Sequence, residues 1–200
     1  FEENLVICNQ KLYKETHIQV GLSLGGGGTG SDSCVSQNCE FEHTNGILKN
    51  NIIMNCNDVG IYINKGKDTK IFNNTVTNTS GIDVRFKESD VLSSNNIIDR
   101  KINSRNKAIL FEDNNIYLDD LNDNFSHINY IQAVHEGIII NTDFCGSLIS
   151  PKKRTVGAIQ LPMDAKCSSL VNQTQPEIKI QFQLPHKINS NEQDAHILTF

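Results

Sequence analysis

The chain has 200 residues, of which 38% are hydrophobic and 6% aromatic, and its formal net charge at pH 7 is −5. That apolar content can form one elongated core, so we expect one main domain. The negative charge argues against a nucleic-acid partner and against binding to an anionic membrane surface. No apolar run approaches the roughly 20 residues of a membrane-spanning helix, so no membrane span is expected.

The first segment, NLVIC from Asn4 to Cys8, is apolar and of strand length, so we predict an inward-packed strand there. The chain begins at Phe1 without a methionine or a signal peptide. We therefore interpret the sequence as a mature or truncated piece, and leave open whether it is the C-terminal portion of a longer coil.

A glycine-rich insertion follows the strand-like residues Gly21 to Leu24. Asn51 lies thirty residues after Gly21, whereas Asn74 lies fourteen after Gly60, so about sixteen residues are inserted. The insertion, residues 25–45, contains GGGGTGSDSC but lacks the Lys-Ser/Thr ending of a phosphate loop. Insertions in repeat coils commonly overhang one face and help to build a binding surface, although a floppy surface loop is equally compatible.

Residues 46–99 repeat a glycine, alternating aliphatic residues, a variable turn and an asparagine pair. Gly60 lies fourteen residues before Asn74, and Gly81 lies fourteen before Asn95. After each glycine, aliphatic and polar residues alternate, and a period of two indicates a β-strand. The pattern aligns Ile61, Tyr62, Ile63 and Asn64 with Ile82, Asp83, Val84 and Arg85. Each repeat therefore reads as one rung of a coil.

Four asparagines recur at equivalent places in these rungs: Asn51, Asn74, Asn95 and Asn114. Each has an aliphatic or aromatic residue three positions before it and an aliphatic residue two positions after it. An asparagine side chain has both a donor and an acceptor, so a column of them can form a hydrogen-bonded ladder. We predict such a ladder; the alternative is that asparagine is simply a common turn residue.

The steps between these asparagines are 23, 21 and 19 residues. Such steps are too long for a hairpin and too short for a strand-helix-strand unit, which favours a solenoid whose successive rungs pair. Residues 100–109 are basic and out of phase, so we expect a turn or longer loop there. A final rung is predicted at GIIIN, residues 137–141, and the end of the coil near Ile159.

The tail, residues 161–200, changes character. A Ser/Asn/Gln-rich linker between Pro162 and Pro176 is followed by EIKIQFQL, whose strict alternation predicts a capping strand over residues 177–184. An acidic cluster at residues 119–124 lacks the spacing of a calcium-binding loop, so a solvated turn is expected there.

Six cysteines give an even count. Cys34 with Cys39, and Cys145 with Cys167, could form disulfides, which fit an oxidising compartment. The other two, Cys8 and Cys56, adjoin apolar strand residues and are interpreted as buried free thiols. No CxxC pair is present, so no zinc site is expected.

Four runs carry a resemblance to a known family: GIYIN (60–64), IFNNTV (71–76), GIDVRF (81–86) and SNNII (94–98). They resemble the repeats of right-handed parallel β-helix proteins, which share the fold of pectate lyase and chondroitinase B. The resemblance covers about residues 1–160 and ends in TDFCGSLISPKKRTVGAIQ, which is similar to the closing segment of many secreted members. It implies an all-β, right-handed, single-stranded parallel β-helix of about five rungs. Members include lyases, hydrolases, epimerases and proteins without known catalysis, so activity stays open.

Outward side chains of two neighbouring strands are the chemical candidates, because adjacent rungs lie about 4.8 Å apart. On these strands Tyr62, Asn64, Asp83 and Arg85 form a compact polar patch. It could hold a sugar acid, with Arg85 pairing with the carboxylate of the sugar. The alternative is that Asp83 and Arg85 form a surface pair on a regular strand. The candidate catalytic residues are Arg85, Asp83, Lys65 and His43, and the candidate substrate-binding residues are Tyr62 and Asn64.

Eliminative cleavage of a uronate needs a cation beside the carboxylate and a base for the adjacent proton. The resemblance implies a Lys or Arg base, with or without calcium, although no catalytic or calcium motif of those lyases carries over. Hydrolysis needs two carboxylates, and Asp83 is alone on its strand. No metal or cofactor is predicted, and calcium is left open.

Two main hypotheses follow. The first is an extracytoplasmic, lyase-like protein that acts on acidic polysaccharide. The second is a noncatalytic β-helix module that binds carbohydrate or another surface, as in an adhesin; a scaffold fragment of a larger protein is a third. We expect a secreted, periplasmic or cell-surface monomer whose partner is a polysaccharide or oligosaccharide.

Overall fold

The chain folds as a coil of short parallel strands, followed by one helix. The computed structural model describes residues 1–8, 18–30, 32–34, 39–117, 141–149, 154–160 and 164–173. The strands are β1 (Leu5–Ile7), β2 (Leu22–Leu24), β3 (His43–Thr44), β4 (Ile47–Lys49), β5 (Ile52–Met54), β6 (Ile61–Asn64), β7 (Gly66–Lys67), β8 (Thr69–Phe72), β9 (Thr75–Thr77), β10 (Ile82–Arg85), β11 (Asp90–Ser94), β12 (Ile97–Ile98), β13 (Ile102–Arg105), β14 (Ile109–Asp113) and β15 (Ile116–Tyr117). The described helix is α1 (Ala165–Gln173).

Three parallel sheets form the faces of the coil. The first face consists of β2, β6, β10 and β13, the second of β4, β8, β11 and β14, and the third of β1, β5, β9, β12 and β15. A short pair, β3 with β7, lies at the corner between the first and second faces. Because the chain visits the faces in turn and every strand pairs with its counterpart one rung away, the predicted parallel β-helix is confirmed.

The described strands complete about three turns, counted from β2 to β13 on the first face. This is fewer than the expected number of about five. The rung predicted at residues 137–141, the acidic cluster at residues 119–124 and the capping strand predicted at residues 177–184 lie outside the described residues.

The core is a column of aliphatic side chains inside the coil. Ile61 and Ile82 pair in register, as do Ile63 and Val84, and all four are fully buried. Burying each such side chain is worth roughly 1.5–3 kcal/mol. The alternation of strand residues therefore turns polar neighbours such as Tyr62 to the outside of the first face.

An asparagine ladder runs beside the third face at the turn that precedes its strands. The Asn51 Nδ2 donates to Asn74 Oδ1 at 2.8 Å, the Asn74 Nδ2 to Asn96 Oδ1 at 3.0 Å, and the Asn96 Nδ2 to Asn115 Oδ1 at 2.9 Å. The Asn4 Nδ2 extends the ladder upstream, since it donates to Asn51 Oδ1 at 2.9 Å. Each side chain thus satisfies its neighbour inside the protein.

The ladder differs from the prediction in its last two members. Asn51 and Asn74 belong to it, but Asn95 and Asn114 lie one residue too early, because β12 pairs Ile97 with Thr75 and so sets Asn96 beside Asn74. Asn95 and Asn114 have positive φ angles of 56° and 52°. The first asparagine of each pair makes the left-handed bend, which asparagine tolerates well.

The same one-residue shift moves two apolar residues to the outside. On the second face, Ile71 pairs with Ser93, whereas Leu92 pairs with Lys70 and Phe111 pairs with Leu92. Leu92 and Phe111, the residues three positions before the predicted ladder members Asn95 and Asn114, therefore do not take the inward position of Ile71 as the sequence pattern predicted. Phe111 points outward and is 61% exposed.

A regular strand occupies residues 102–105, where a turn or longer loop was expected. Strand β13 pairs with β10 and matches Ile102 to Ile82 and Ser104 to Val84. The strand escaped prediction because a serine takes the second inward position, where earlier rungs have an aliphatic residue. This correction brings Arg105 onto the first face.

The outer side of the third face is covered by the closing segment, residues 141–149 and 154–160. Ala158 and Ile159 pack with Ile52 and Met54 in a second apolar cluster. The Arg154 Nη2 donates to Asn50 Oδ1 at 2.5 Å, and the Gly157 N–H donates to the Asn95 carbonyl at 2.8 Å. The segment is therefore part of the folded coil.

Helix α1 lies in the tail, where a linker was expected. Asp164 caps its start, because Oδ1 accepts the Cys167 N–H at 2.7 Å. Its other oxygen accepts the Ser147 hydroxyl at 2.6 Å. Both bonds lower the pKa of Asp164.

Three disulfides tie the chain: Cys8 with Cys56, Cys34 with Cys39, and Cys145 with Cys167. The last two were the pairs considered from the sequence, but the interpretation of Cys8 and Cys56 as free thiols was wrong. These two cysteines follow β1 and β5, which are paired strands of the third face. Parallel pairing therefore brings them together.

Candidate functional site

The outer side of the first face carries four of the six predicted site residues, in two columns. One column contains Ser23, Tyr62, Asp83 and Asn103, and the other contains Asn64, Arg85 and Arg105. The register predicted from the sequence for Tyr62 with Asp83 and for Asn64 with Arg85 agrees with these pairings. Arg105 and Asn103 were not predicted, because their strand was taken for a loop.

Asp83 is bound by Arg105 from the next rung. The Arg105 Nε donates to Asp83 Oδ1 at 2.8 Å, and its Nη2 forms an ion pair with Oδ2. Asp83 is only 3% exposed, whereas the Arg105 side chain is 52% exposed. The hydrogen bond and the charge of Asp83 raise the pKa of Arg105. The expected surface pair of Asp83 with Arg85 is thus replaced by a bidentate pair with Arg105.

Arg85 is a cation without a carboxylate partner in the described part of the chain. Its Nη1 donates to the Tyr62 hydroxyl at 3.4 Å, and its guanidinium lies 5.3 Å from the centre of the Phe86 ring. Its Nε is buried and has no hydrogen-bond partner among the described residues, and the same holds for the Asn64 Oδ1. These two polar atoms are therefore left unsatisfied by the described side chains around them.

Lys65 approaches the same aromatic ring from the neighbouring rung. Its Nζ lies 5.9 Å from the centre of the Phe86 ring and donates to the Thr29 hydroxyl at 3.2 Å. Phe86 has a φ of 72°, which is unusual for a bulky residue. We call Lys65, Arg85 and Phe86 the cation cluster. It concentrates two positive charges at one edge of the first face.

The glycine-rich insertion borders this cluster. Gly25 stacks against the Asn64 carbonyl so closely that a Cβ atom would not fit. The Gly26 N–H donates to the Glu42 carboxylate, and the Glu42 N–H donates to the Lys65 carbonyl at 2.9 Å. Both ends of the insertion are therefore attached to the first face, and Thr29 within it contacts Lys65.

His43 lies away from the cation cluster, at the corner between the first and second faces. Its ring lies between Gly46 and Gly66, where a side chain would leave no room for it. Its Nε2 is 2.8 Å from the Thr69 hydroxyl, and its Nδ1 is buried without a partner among the described residues. Burial lowers the pKa of His43. No described hydrogen bond joins it to Arg85 or Lys65.

The burial of His43 predicts a pH-dependent stability. Unfolded histidine binds protons below about pH 6.5, whereas folded His43 resists protonation because its pKa is lowered. The free energy of unfolding should therefore fall as the pH drops below about 6.5 and until the lower folded pKa is reached. Urea unfolding across a pH series measures this slope.

The matched variant is His43→Gln, which removes the titrating group and keeps a polar side chain. Subtracting its pH profile from that of the parent isolates His43 from the other five histidines. Identical slopes in the two proteins would show that His43 is no more shielded from protons than an unfolded histidine.

A comparison with known protein families shows to which family this chain belongs. A family model described as "Periplasmic copper-binding protein (NosD)" matches residues 31–142, which is 112 of the 200 residues. The chain belongs to the NosD family. No curated protein matches the chain, and no solved structure matches it. The NosD match runs from the insertion to the start of the closing segment and includes both columns of the first face downstream of Ser23.

The NosD assignment agrees with the disulfides on location. The family is described as periplasmic, and three disulfides fit an oxidising compartment. The protein is therefore extracytoplasmic, as predicted. Among the described residues, no helix has the length and apolar character that crossing a membrane requires.

The NosD description also names copper, which prefers thiolate, thioether and imidazole ligands. All six cysteines are in disulfides, and His43 is the one histidine in the described part of the chain. Asp143, Cys145 and Cys167 have ligand atoms within 4.8 Å of one another. However, the two sulfurs are bonded to each other, and the Asp143 oxygens accept backbone N–H groups of Cys145, Ser147 and Gln160. The described residues therefore do not fit a copper centre.

Proposed function

We propose that the protein binds an acidic polysaccharide outside the cytoplasm, through the outer side of the first face, and does not cleave it. The observation that carries this proposal is Arg85, whose guanidinium lies on an ordered sheet without a carboxylate partner in the described residues. A free guanidinium beside a hydroxyl and an amide is suited to the carboxylate and hydroxyl groups of a sugar acid.

Lys65 supports the same ligand class. It adds a second positive charge one rung from Arg85, and neither side chain has an ion pair among the described residues. An anionic group at the cation cluster would relieve the repulsion between the two charges. Tyr62 and Asn64 would then contact the sugar ring and its hydroxyls.

Binding is favoured over cleavage because two of the four candidate catalytic groups, Asp83 and His43, are occupied or distant. Asp83 is buried and bound by Arg105, so its carboxylate is not open to a substrate. His43 contacts Thr69 at the corner instead of the cation cluster. The catalytic roles assigned to Arg85, Asp83, Lys65 and His43 stay predictions. We do not extend the copper binding named for the family to this chain, since its described donors do not fit.

The proposal is tested by titrating the protein with polygalacturonate and with a neutral glucan of similar length. Calorimetry should detect binding of the acidic polymer only. The Arg85→Ala variant should bind about 10–100-fold more weakly, because a hydrogen bond to a charged group contributes about 1.5–3 kcal/mol. Incubation with the acidic polymer should produce no ultraviolet absorbance from unsaturated products.

Lys166→Ala is the control, since it removes one positive charge from an exposed position on helix α1. Its affinity should equal that of the parent. Equal weakening by the two variants would mean that net charge alone attracts the polymer. Absorbance that grows with time and disappears in Arg85→Ala would instead favour the lyase hypothesis.

A further inference from the structure

The turn that leaves the first face has the same backbone conformation in three successive rungs. Lys65, Phe86 and Asn106 directly follow strands β6, β10 and β13, and the pairing of those strands puts them at equivalent places on neighbouring rungs. Their φ angles are 46°, 72° and 57°, so all three lie in the left-handed region. Asparagine adopts this region readily, whereas a lysine or a phenylalanine does so at a cost in conformational energy. Two of the three rungs therefore carry a residue that does not suit its turn.

The apolar core does not explain the phenylalanine at this turn. Phe86 is only partly buried, and it is not among the described residues that form or pack against the two core clusters. Its ring instead lies beside two cations, with Lys65 Nζ at 5.9 Å and the Arg85 guanidinium carbon at 5.3 Å from the ring centre. An aromatic face attracts a cation within about 6 Å of its centre. The ring is therefore placed to hold the two positive charges near each other.

No carboxylate neutralises these two cations in the described part of the chain. Glu88 lies two residues after Phe86, but the described ion pairs do not join it to Lys65 or to Arg85. Two like charges held close together repel each other, so the arrangement is unfavourable in the free protein. Backbone strain of this kind persists mainly at functional sites, where the surrounding fold compensates for it.

We propose that Phe86 is a positioning residue of the anion-binding site. Its left-handed turn holds the ring where it brings the Lys65 ammonium and the Arg85 guanidinium to one acidic group of the ligand. This inference rests on the proposed function, because it assigns Phe86 a part in binding the acidic polysaccharide. It follows that a residue better suited to the turn should make the protein bind more weakly without making it less stable.

Phe86→Asn tests the inference, because it introduces the residue that the next rung already has at this turn. The variant should unfold at a temperature equal to or above that of the parent, since asparagine tolerates a positive φ. Its dissociation constant for polygalacturonate should rise about 3- to 30-fold, the range expected for the loss of a cation–ring contact. Thermal unfolding followed by circular dichroism and calorimetric titration measure the two quantities.

Two further variants separate the ring from the turn. Phe86→Tyr keeps an aromatic face, so it should bind polygalacturonate within about twofold of the parent. Asn106→Ala puts a poorly suited residue at the same turn one rung downstream. It should therefore lower the unfolding temperature and leave the affinity unchanged.

The outcomes distinguish this inference from the proposed function. If Arg85→Ala weakens binding but Phe86→Asn binds like the parent, the role of Phe86 is wrong and the proposed function stands. The role is also wrong if Phe86→Asn loses both affinity and stability, because the ring is then needed for the fold, or if Phe86→Tyr binds as weakly as Phe86→Asn. A parent protein that does not bind polygalacturonate would overturn both proposals.

Discussion

Replacing Asn74 with alanine should lower the free energy of unfolding by about 3 kcal/mol or more, because buried polar partners left unpaired cost about 1–3 kcal/mol each. The Asn74 Nδ2 donates to the Leu48 and Phe72 carbonyls at 3.0 and 3.1 Å and to Asn96 Oδ1 at 3.0 Å. Its Oδ1 accepts the Asn51 backbone N–H and Nδ2 at 3.0 and 2.8 Å. Urea unfolding followed by circular dichroism measures the loss.

The control for this variant is Asn103→Ala. Asn103 lies on an outward position of strand β13 and is only partly buried, so its replacement should change stability by no more than about 0.5 kcal/mol. A small effect at Asn74, comparable with that at Asn103, would mean that the ladder contributes little to the stability of the coil.

Removing the disulfide between Cys8 and Cys56 should lower the free energy of unfolding by about as much as Asn74→Ala. The two cysteines are 48 residues apart, and closing a loop of that length stabilises the fold by about 4 kcal/mol in the chain-entropy model. The double variant Cys8→Ser with Cys56→Ser should therefore show a lower urea midpoint. Alkylation under nonreducing conditions should add no mass to the variant or to the parent, since all cysteines of the parent are paired.

The small disulfide between Cys34 and Cys39 provides the comparison. These cysteines are only 5 residues apart, so replacing both should cost about 2 kcal/mol on the same model. Alkylation of the unreduced parent at Cys8 or Cys56 would show that these thiols are free, as the sequence had suggested, and would remove the basis of the prediction.

The repeat architecture could be predicted from the sequence because its signal is local. Alternation in GIYIN and GIDVRF sets the inward and outward sides of each strand. The alternation is confirmed by the pairing of Ile61 with Ile82 and of Tyr62 with Asp83. The equal spacing of fourteen residues is not kept, because Asn96, the ladder partner of Asn74, lies fifteen residues after Gly81.

The remaining errors come from information that only neighbouring rungs supply. Two adjacent asparagines look alike in sequence, so Asn95 was chosen where pairing selects Asn96. Ser104 in an inward position concealed strand β13, and with it the Arg105 partner of Asp83. Similarly, Cys8 and Cys56 are distant in sequence and meet only because β1 pairs with β5.

The hydrogen bonds of the closing segment affect how the coil unfolds. It bonds to asparagine bends in three successive rungs, through Arg154 to Asn50, Thr155 to Asn73 and Gly157 to Asn95. A solenoid held only by contacts between adjacent rungs can fray progressively from either end. Here one segment of the chain forms hydrogen bonds to all three rungs, so we expect these rungs to unfold together as a single cooperative unit.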